Sequence, residues 1–239
     1  MTPNFKRLYF RACQANFAYI EDPATAKAAF TALGCTFVAQ YKNDDHQAVL
    51  STFNGEFDLS ISGTRFSDGE IPDIFDDVDT TPHNLGDGAL VSAGAWCGMA
   101  DLWAWVLNQI EPNGIVNVQG HSLGGWRAQY TPEFVPAPRI GTVTAIESPK
   151  PGSMGYFARH QEFFDTKVVS IVNHLDLWCG YPFIGPYARP PQKFIWLTEP
   201  GKWRPITEAQ WPGGRSMADH GISSAVMPAL AMLAGTNTA

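Results

Sequence analysis

Between Ile115 and Asn173 the chain alternates between short apolar runs and helical stretches. "IVNVQG", "RIGTVTAIES" and "TKVVSIVN" are rich in β-branched residues and read as buried strands. "LGGWRAQY", ending before Pro132, and "GSMGYFARHQEFF" read as helices. No other feature constrains the fold as tightly. Strands joined through helices run parallel, and the sheet they form is covered on both faces. The expectation is an α/β fold with a mainly parallel central sheet and helices on both sides.

The flanking regions fit around that unit. Residues 3–19 read as a helix, and Asp22-Pro23 starts a second that ends at Gly34. "CTFVAQY", "QAVLSTF" and "EFDLSIS" read as strands, with Asn54-Gly55 marking a hairpin between the last two. Residues 65–90 are rich in Gly, Pro and Asp, and long enough to suggest a lid-like loop. Residues 92–110 read as one helix. Residues 180–215 carry many Pro, Gly and aromatic residues, with "KFIWLT" as an edge strand, and a last helix follows His220. Neither a repeat nor a linker interrupts the 239 residues, so the reading is a single domain over 1–239.

Composition removes several function classes. Net charge is −7 and no run of Lys and Arg occurs, which argues against nucleic acid as a partner. Cys13, Cys35, Cys97 and Cys179 are scattered and form no CxxC, so metal and redox motifs are not indicated. "MTPNFKRLYFRACQANF" lacks the apolar run of a secretory signal, and no stretch is long enough to span a bilayer. The expectation is a cytoplasmic protein with free thiols and neither metal nor organic cofactor. Oligomeric state is open.

Chemistry concentrates in "VNVQGHSLGGW". Gly120-His121-Ser122-Leu123-Gly124 fits G-x-S-x-G, with a strand before and a helix after. That context suits a strained turn that lifts a serine hydroxyl above the sheet, where bulky flanking residues would clash. The turn also aims the Leu123 N–H, at the helix start, toward a developing oxyanion. A purely structural turn is the competing reading. A phosphate loop is excluded, because G-x-x-x-x-G-K-[ST] occurs nowhere.

A nucleophilic serine needs a base, and the base needs an orienting acid. Asp176 follows the strand "TKVVSIVN" and stands beyond its carboxyl end. Its rivals are Asp165, which precedes that strand, and Glu147, on the next strand after the serine and in a less favoured position. His46 and His83 precede Ser122, His121 adjoins it, His160 lies in a helix, and His174 reads best as a packing residue. His220, in "MADHGISS", sits in a loop free to fold back over the strand ends and is the preferred base.

With these motifs in order, the chain resembles the class 3 lipases, the fungal-type triacylglycerol lipases of the α/β-hydrolase superfamily. "LSISGTRFS" looks like their oxyanion strand, "VQGHSLGG" like their elbow, and "AIESPKPGS" like their Pro-basic-x-Gly turn. "VVSIVNHLDLWCGYP" looks like their acid loop, and "DHGI" stands where they carry histidine. The resemblance spans roughly residues 45–225. It implies an α/β-hydrolase fold, a triad of Ser122, Asp176 and His220, and oxyanion donation from Thr64 and Leu123. Trp126 and Arg127 replace small residues after the elbow, and "SAGAW" replaces the usual His-x-Gly-Phe. The lid region, "DGEIPDIFDDVDTTPHNLGDG", is acidic rather than apolar.

The expected activity is that of a serine ester hydrolase, a lipase or carboxylesterase. Its substrate would be a small-molecule or lipid ester, with any contact with a lipid interface transient. Acyl transfer on the same residues and a non-catalytic binding module on a hydrolase fold are the alternatives. Labelling of Ser122 by a fluorophosphonate separates an enzyme from a binding module.

Overall fold

The computed structural model describes residues 2–43, 46–64 and 78–236. Helix α1 spans Phe5–Phe17 and α2 Pro23–Ala32. The Asn4 and Asp22 side chains cap them by accepting the Arg7 and Thr25 N–H groups at 3.1 and 2.7 Å. Strands β1 (Thr36–Lys42), β2 (Gln47–Phe53) and β3 (Glu56–Ile61) form an antiparallel meander. Asn54 and Gly55 turn the β2–β3 hairpin with φ of 52° and 82°, the two positive values that a tight hairpin turn demands.

A small hairpin, β4 (Pro82–Asn84) and β5 (Leu90–Ser92), follows. Then come α3 (Ala93–Trp96), α4 (Met99–Gln109), β6 (Val116–His121) and α5 (Leu123–Ala128). Strand β7 (Ile140–Ile146) leads to α6 (Met154–Arg159) and α7 (Gln161–Thr166), and then to β8 (Val168–Asn173). Strands β9 (Phe194–Glu199) and β10 (Lys202–Ile206) and helix α8 (Met227–Ala234) complete the described elements.

Eight strands form one sheet in the order β1-β2-β3-β6-β7-β8-β9-β10. The five from β3 to β9 are parallel, and antiparallel pairs lie at both margins. Strand β6 sits centrally and is buried along its whole length. One face carries the largest apolar cluster, including Leu59, Leu102, Trp103, Val118, Trp126 and Phe164. The other packs Ile146, Ile171 and Leu197 against Leu8 of α1 and Leu230 of α8. Buried Arg11 also ties α1 to the sheet through an ion pair with Asp58 of β3 and a hydrogen bond to Gln119 of β6. No described helix is long and apolar enough to cross a membrane.

Several local expectations are corrected. The helix expected over 92–110 breaks at Cys97-Gly98, where Gly98 is left-handed with φ 71°. The helix expected over 152–164 breaks at His160, which has φ −119° and ψ 33°. "KFIWLT" is not the edge strand. Strand β10 pairs outside it, and its mostly solvent-facing residues, with Pro205 among them, hide the alternation that marks a strand. Within the expected loop 65–90, Pro82–Asn84 is a strand, while 65–77 lie outside the described residues.

Candidate active site

The carboxyl ends of β6, β7 and β8 lie side by side. The Ser122 N–H donates to the Ile146 carbonyl at 2.9 Å, and the Glu147 N–H to the Ile171 carbonyl at 2.8 Å. Residues just past these three ends therefore converge on one edge of the sheet. Ser122 occupies the turn between β6 and α5 with φ 59° and ψ −128°, outside the regions that L-residues favour. The flanking glycines make that turn possible. A Cβ at Gly120 would strike the Gly124 backbone, and one at Gly124 would strike the Ile61 carbonyl. The clash anticipated from the motif is thus of side-chain Cβ atoms against backbone, at the helix start and at β3.

His220 reaches this edge from the far end of the chain. Its Nε2 lies 2.9 Å from Ser122 Oγ, and its Nδ1 lies 2.9 Å from Asp176 Oδ2. The return loop is pinned to the end of β8. The Leu177 N–H donates to the Ser216 carbonyl at 3.0 Å, and Asn173 Nδ2 donates to the Asp219 carbonyl at 2.9 Å. Asp176 is fully buried and accepts from the Trp178 N–H at 3.0 Å and from Cys179 Sγ at 3.1 Å. Burial, followed by the nearby Asp176 charge, pushes the Cys179 thiol well above its ordinary range, so it stays protonated. The Trp178 ring lies 5.9 Å from that of His220 and walls the imidazole in.

The rivals Asp165 and His174 fall elsewhere, whereas Glu147 and His121 stand beside His220. Asp165 lies in α7, before β8, and accepts from Gln192. His174 is held by its carbonyl, which accepts from the indoles of Trp196 and Trp211 at 2.7 and 3.2 Å. Glu147, the less favoured acid, stands beside the imidazole. Its Oε2 is 2.9 Å from His121 Nε2 and 3.9 Å from His220 Nδ1. His121 Nε2 is also 2.8 Å from the His220 carbonyl, an acceptor only, so this nitrogen carries the His121 proton. His121 Nδ1 then accepts from the Tyr19 hydroxyl at 2.9 Å.

Burial, then the charges of Asp176 and Asp219, holds the Glu147 carboxyl well above the usual glutamate range. Burial, then the neighbouring His220, holds His121 well below the usual histidine range. His121 is therefore neutral near pH 7. His121, Glu147 and His220 bring potential ligand atoms within 4.8 Å of one another. Each of the three already takes part in the hydrogen bonds above. Sequence reasoning assigned no role to Tyr19 or His121. The only signal for His121 was its place next to the serine, and Tyr19 carried none.

On the other side of Ser122, Gly63 lies where a Cβ would come within 2.9 Å of the serine Cβ. Only glycine allows the chain end of β3 to approach so closely, and Thr64 is the next residue along the chain. Leu123 is the first residue of α5, so its N–H is not consumed inside the helix. A hydroxyl on a strained turn, an imidazole bonded to it, a buried carboxylate behind the imidazole and spare N–H groups nearby can support acyl transfer through a covalent intermediate.

Protein-family models and curated protein sequences give no match to this chain. Solved structures do. A lipase from Rhizopus microsporus var. chinensis is 18% identical, with a TM-score of 0.66 over 90% of this chain and 85% of its own. Lip2 lipase from Yarrowia lipolytica is 18% identical, with a TM-score of 0.63 over 82% of this chain and 80% of its own. A triacylglycerol lipase whose catalytic centre is a serine protease triad is 18% identical, with a TM-score of 0.66 over 90% and 91%. At such identities the likeness is one of architecture, and the chain carries the α/β-hydrolase fold of the fungal lipases.

Proposed function

We propose that this protein is a serine carboxylic ester hydrolase. The carrying observation is the hydrogen-bonded line from Ser122 through His220 to buried Asp176 at the carboxyl edge of a parallel sheet. In this reading His220 Nε2 takes the Ser122 proton as Oγ attacks the ester carbonyl. The Leu123 N–H and Thr64 stabilise the oxyanion. His220 then protonates the leaving alcohol, giving an acyl-enzyme, and next activates water to release the acid. Asp176 holds the imidazole in its Nδ1–H form and stabilises the imidazolium.

The substrate is a soluble or lipid acyl ester, with the short to medium chain lengths that suit an acidic segment over 67–88. The four cysteines are free thiols, three of them buried, in keeping with a cytoplasmic setting. The test pairs a fluorophosphonate probe with p-nitrophenyl esters from acetate to palmitate. Stoichiometric labelling at Ser122 with turnover of the shorter esters is expected. A folded protein that neither labels nor turns over any ester would refute the reading.

A further inference from the structure

Two buried carboxyls face the same imidazole. Asp176 follows β8 and touches His220 Nδ1 at 2.9 Å, whereas Glu147 follows the neighbouring strand β7 and approaches the same nitrogen to 3.9 Å. Both are fully buried. We propose that Glu147 is a second carboxyl in the service of His220, a positioning residue held in reserve behind Asp176. This inference rests on the hydrolase reading above.

Three observations support it. First, Glu147 has φ 49°, left-handed backbone that glycine would occupy without strain, and that strain presents a carboxyl to the site. Second, its Oε2 accepts from His121, while its Oε1 is buried with no hydrogen-bond partner among the described residues. A buried polar atom without a partner is costly, and its presence in a folded site calls for an explanation. Third, His121, which donates to Glu147, also donates to the His220 carbonyl, and the His121 and His220 rings lie 4.7 Å apart.

The chemistry follows from like-charge repulsion. Two carboxyls sharing one dry site do not both ionise readily, and one keeps its proton. The ionisable groups facing Glu147 are Asp176, Asp219, His121, His220, Tyr19 and Cys179, and burial, then the charges of Asp176 and Asp219, raises its pKa. In the native protein Asp176 is the direct hydrogen-bond partner of His220. Removing the Asp176 charge takes away one of the effects that, after burial, raise the Glu147 pKa, and the positive charge His220 gains as it takes the Ser122 proton then favours loss of the Glu147 proton to water. Its carboxylate then needs to move by only about 1 Å to accept the Nδ1–H of His220 at ordinary hydrogen-bond length.

The test is a double-mutant cycle read by the rate of fluorophosphonate labelling at Ser122 and by kcat and KM on p-nitrophenyl butyrate. Asp176→Ala removes the charge without fixing the wrong tautomer. Asp176→Ser repeats the test with a hydroxyl available to the Trp178 N–H, in case the alanine variant unfolds. Either variant should lose about 10²–10³ in kcat with little change in KM, less than the ~10⁴ expected of an unsupported imidazole. Adding Glu147→Gln should bring the loss to about 10⁴ or more, whereas Glu147→Gln alone should cost about tenfold or less. Glu147→Gly, which relieves the strained φ, should behave like Glu147→Gln in both backgrounds while folding at least as stably.

If Glu147 only braces His121, its substitution will multiply the loss by the same factor with and without Asp176, and the proposal is overturned. If the wild-type protein neither labels nor hydrolyses, the hydrolase reading itself fails. An additive cycle on an active wild type rejects only the reserve carboxyl.

Discussion

His220 Nε2 stands 2.9 Å from Ser122 Oγ, although 98 residues separate them in the chain. The contact exists because Ser122 sits just past β6 while the loop before α8 folds back over the same sheet edge. From it follows the first prediction. Ser122→Ala should fold normally and lose ester turnover by about 10⁴–10⁶, leaving only what oxyanion donors and binding supply. Initial rates on p-nitrophenyl butyrate, with circular dichroism to verify folding, decide it. Near-native turnover in the folded variant rejects Ser122 as nucleophile.

Asp176→Asn should lower kcat by about 10⁴, because the amide can donate to Nδ1 and fixes the wrong tautomer for proton transfer. Asp165→Asn and His174→Asn should keep most activity. Asp165 lies before β8, and His174 contributes its carbonyl to two indoles rather than its ring to Ser122. Asparagine also tolerates the φ of 44° at His174. Loss of turnover in the His174 variant, with Asp176→Asn active, would reverse the assignment.

Thr64→Val tests the oxyanion side. The substitution keeps the side-chain shape and the backbone N–H but removes the hydroxyl. If that hydroxyl donates in the transition state, kcat should fall by about 10²–10³ while KM stays nearly constant. An unchanged kcat leaves the backbone N–H as the only contribution of Thr64.

Glu147 should leave a signature in the pH dependence of stability. Its folded pKa is raised, so the folded protein retains a proton that the unfolded chain loses near the ordinary value of 4.5. Stability is then greatest below that value and falls as pH rises through the window up to the elevated one, by at most about 1.4 kcal/mol per pH unit. Urea midpoints of the wild type and Glu147→Gln, measured from pH 4 upward, should diverge in that direction. Parallel curves would mean that Glu147 is ionised in the folded protein.

The segment over 67–88 holds Asp68, Glu70, Asp73, Asp76, Asp77, Asp79 and Asp87. The sequence pattern would put Ile74, Phe75 and Val78 on one narrow apolar face of a helix over 72–79, but Val78 and Asp79 are not helical. Ile74 and Phe75 lie outside the described residues, whereas Val78 packs against the main apolar cluster. Such a surface would bind an anionic lipid interface weakly. Tributyrin turnover should therefore rise smoothly to its solubility limit without a jump. A steep increase on emulsion formation, with palmitate esters preferred, would mark an interfacial lid.

What the sequence determined by itself was local. The alternation over 115–173 predicts parallel strands because β-branched runs and helical stretches are near-neighbour properties. G-x-S-x-G predicts the elbow because its glycines answer clashes within one turn and with the adjoining strand. Asp176 and His220 could be chosen because chain order and strand ends restrict where side chains emerge. Tertiary structure alone decided the rest. Strand β10 takes its identity from pairing with β9 rather than from its own pattern. The Tyr19–His121–Glu147 line joins α1's exit, β6 and β7, three segments whose proximity no local spacing encodes. In the sequence Glu147 is only the less favoured candidate acid, and it is the return loop that places His220 Nδ1 3.9 Å from its carboxyl. Burial beside Asp176, which only the assembled sheet edge creates, then raises its pKa.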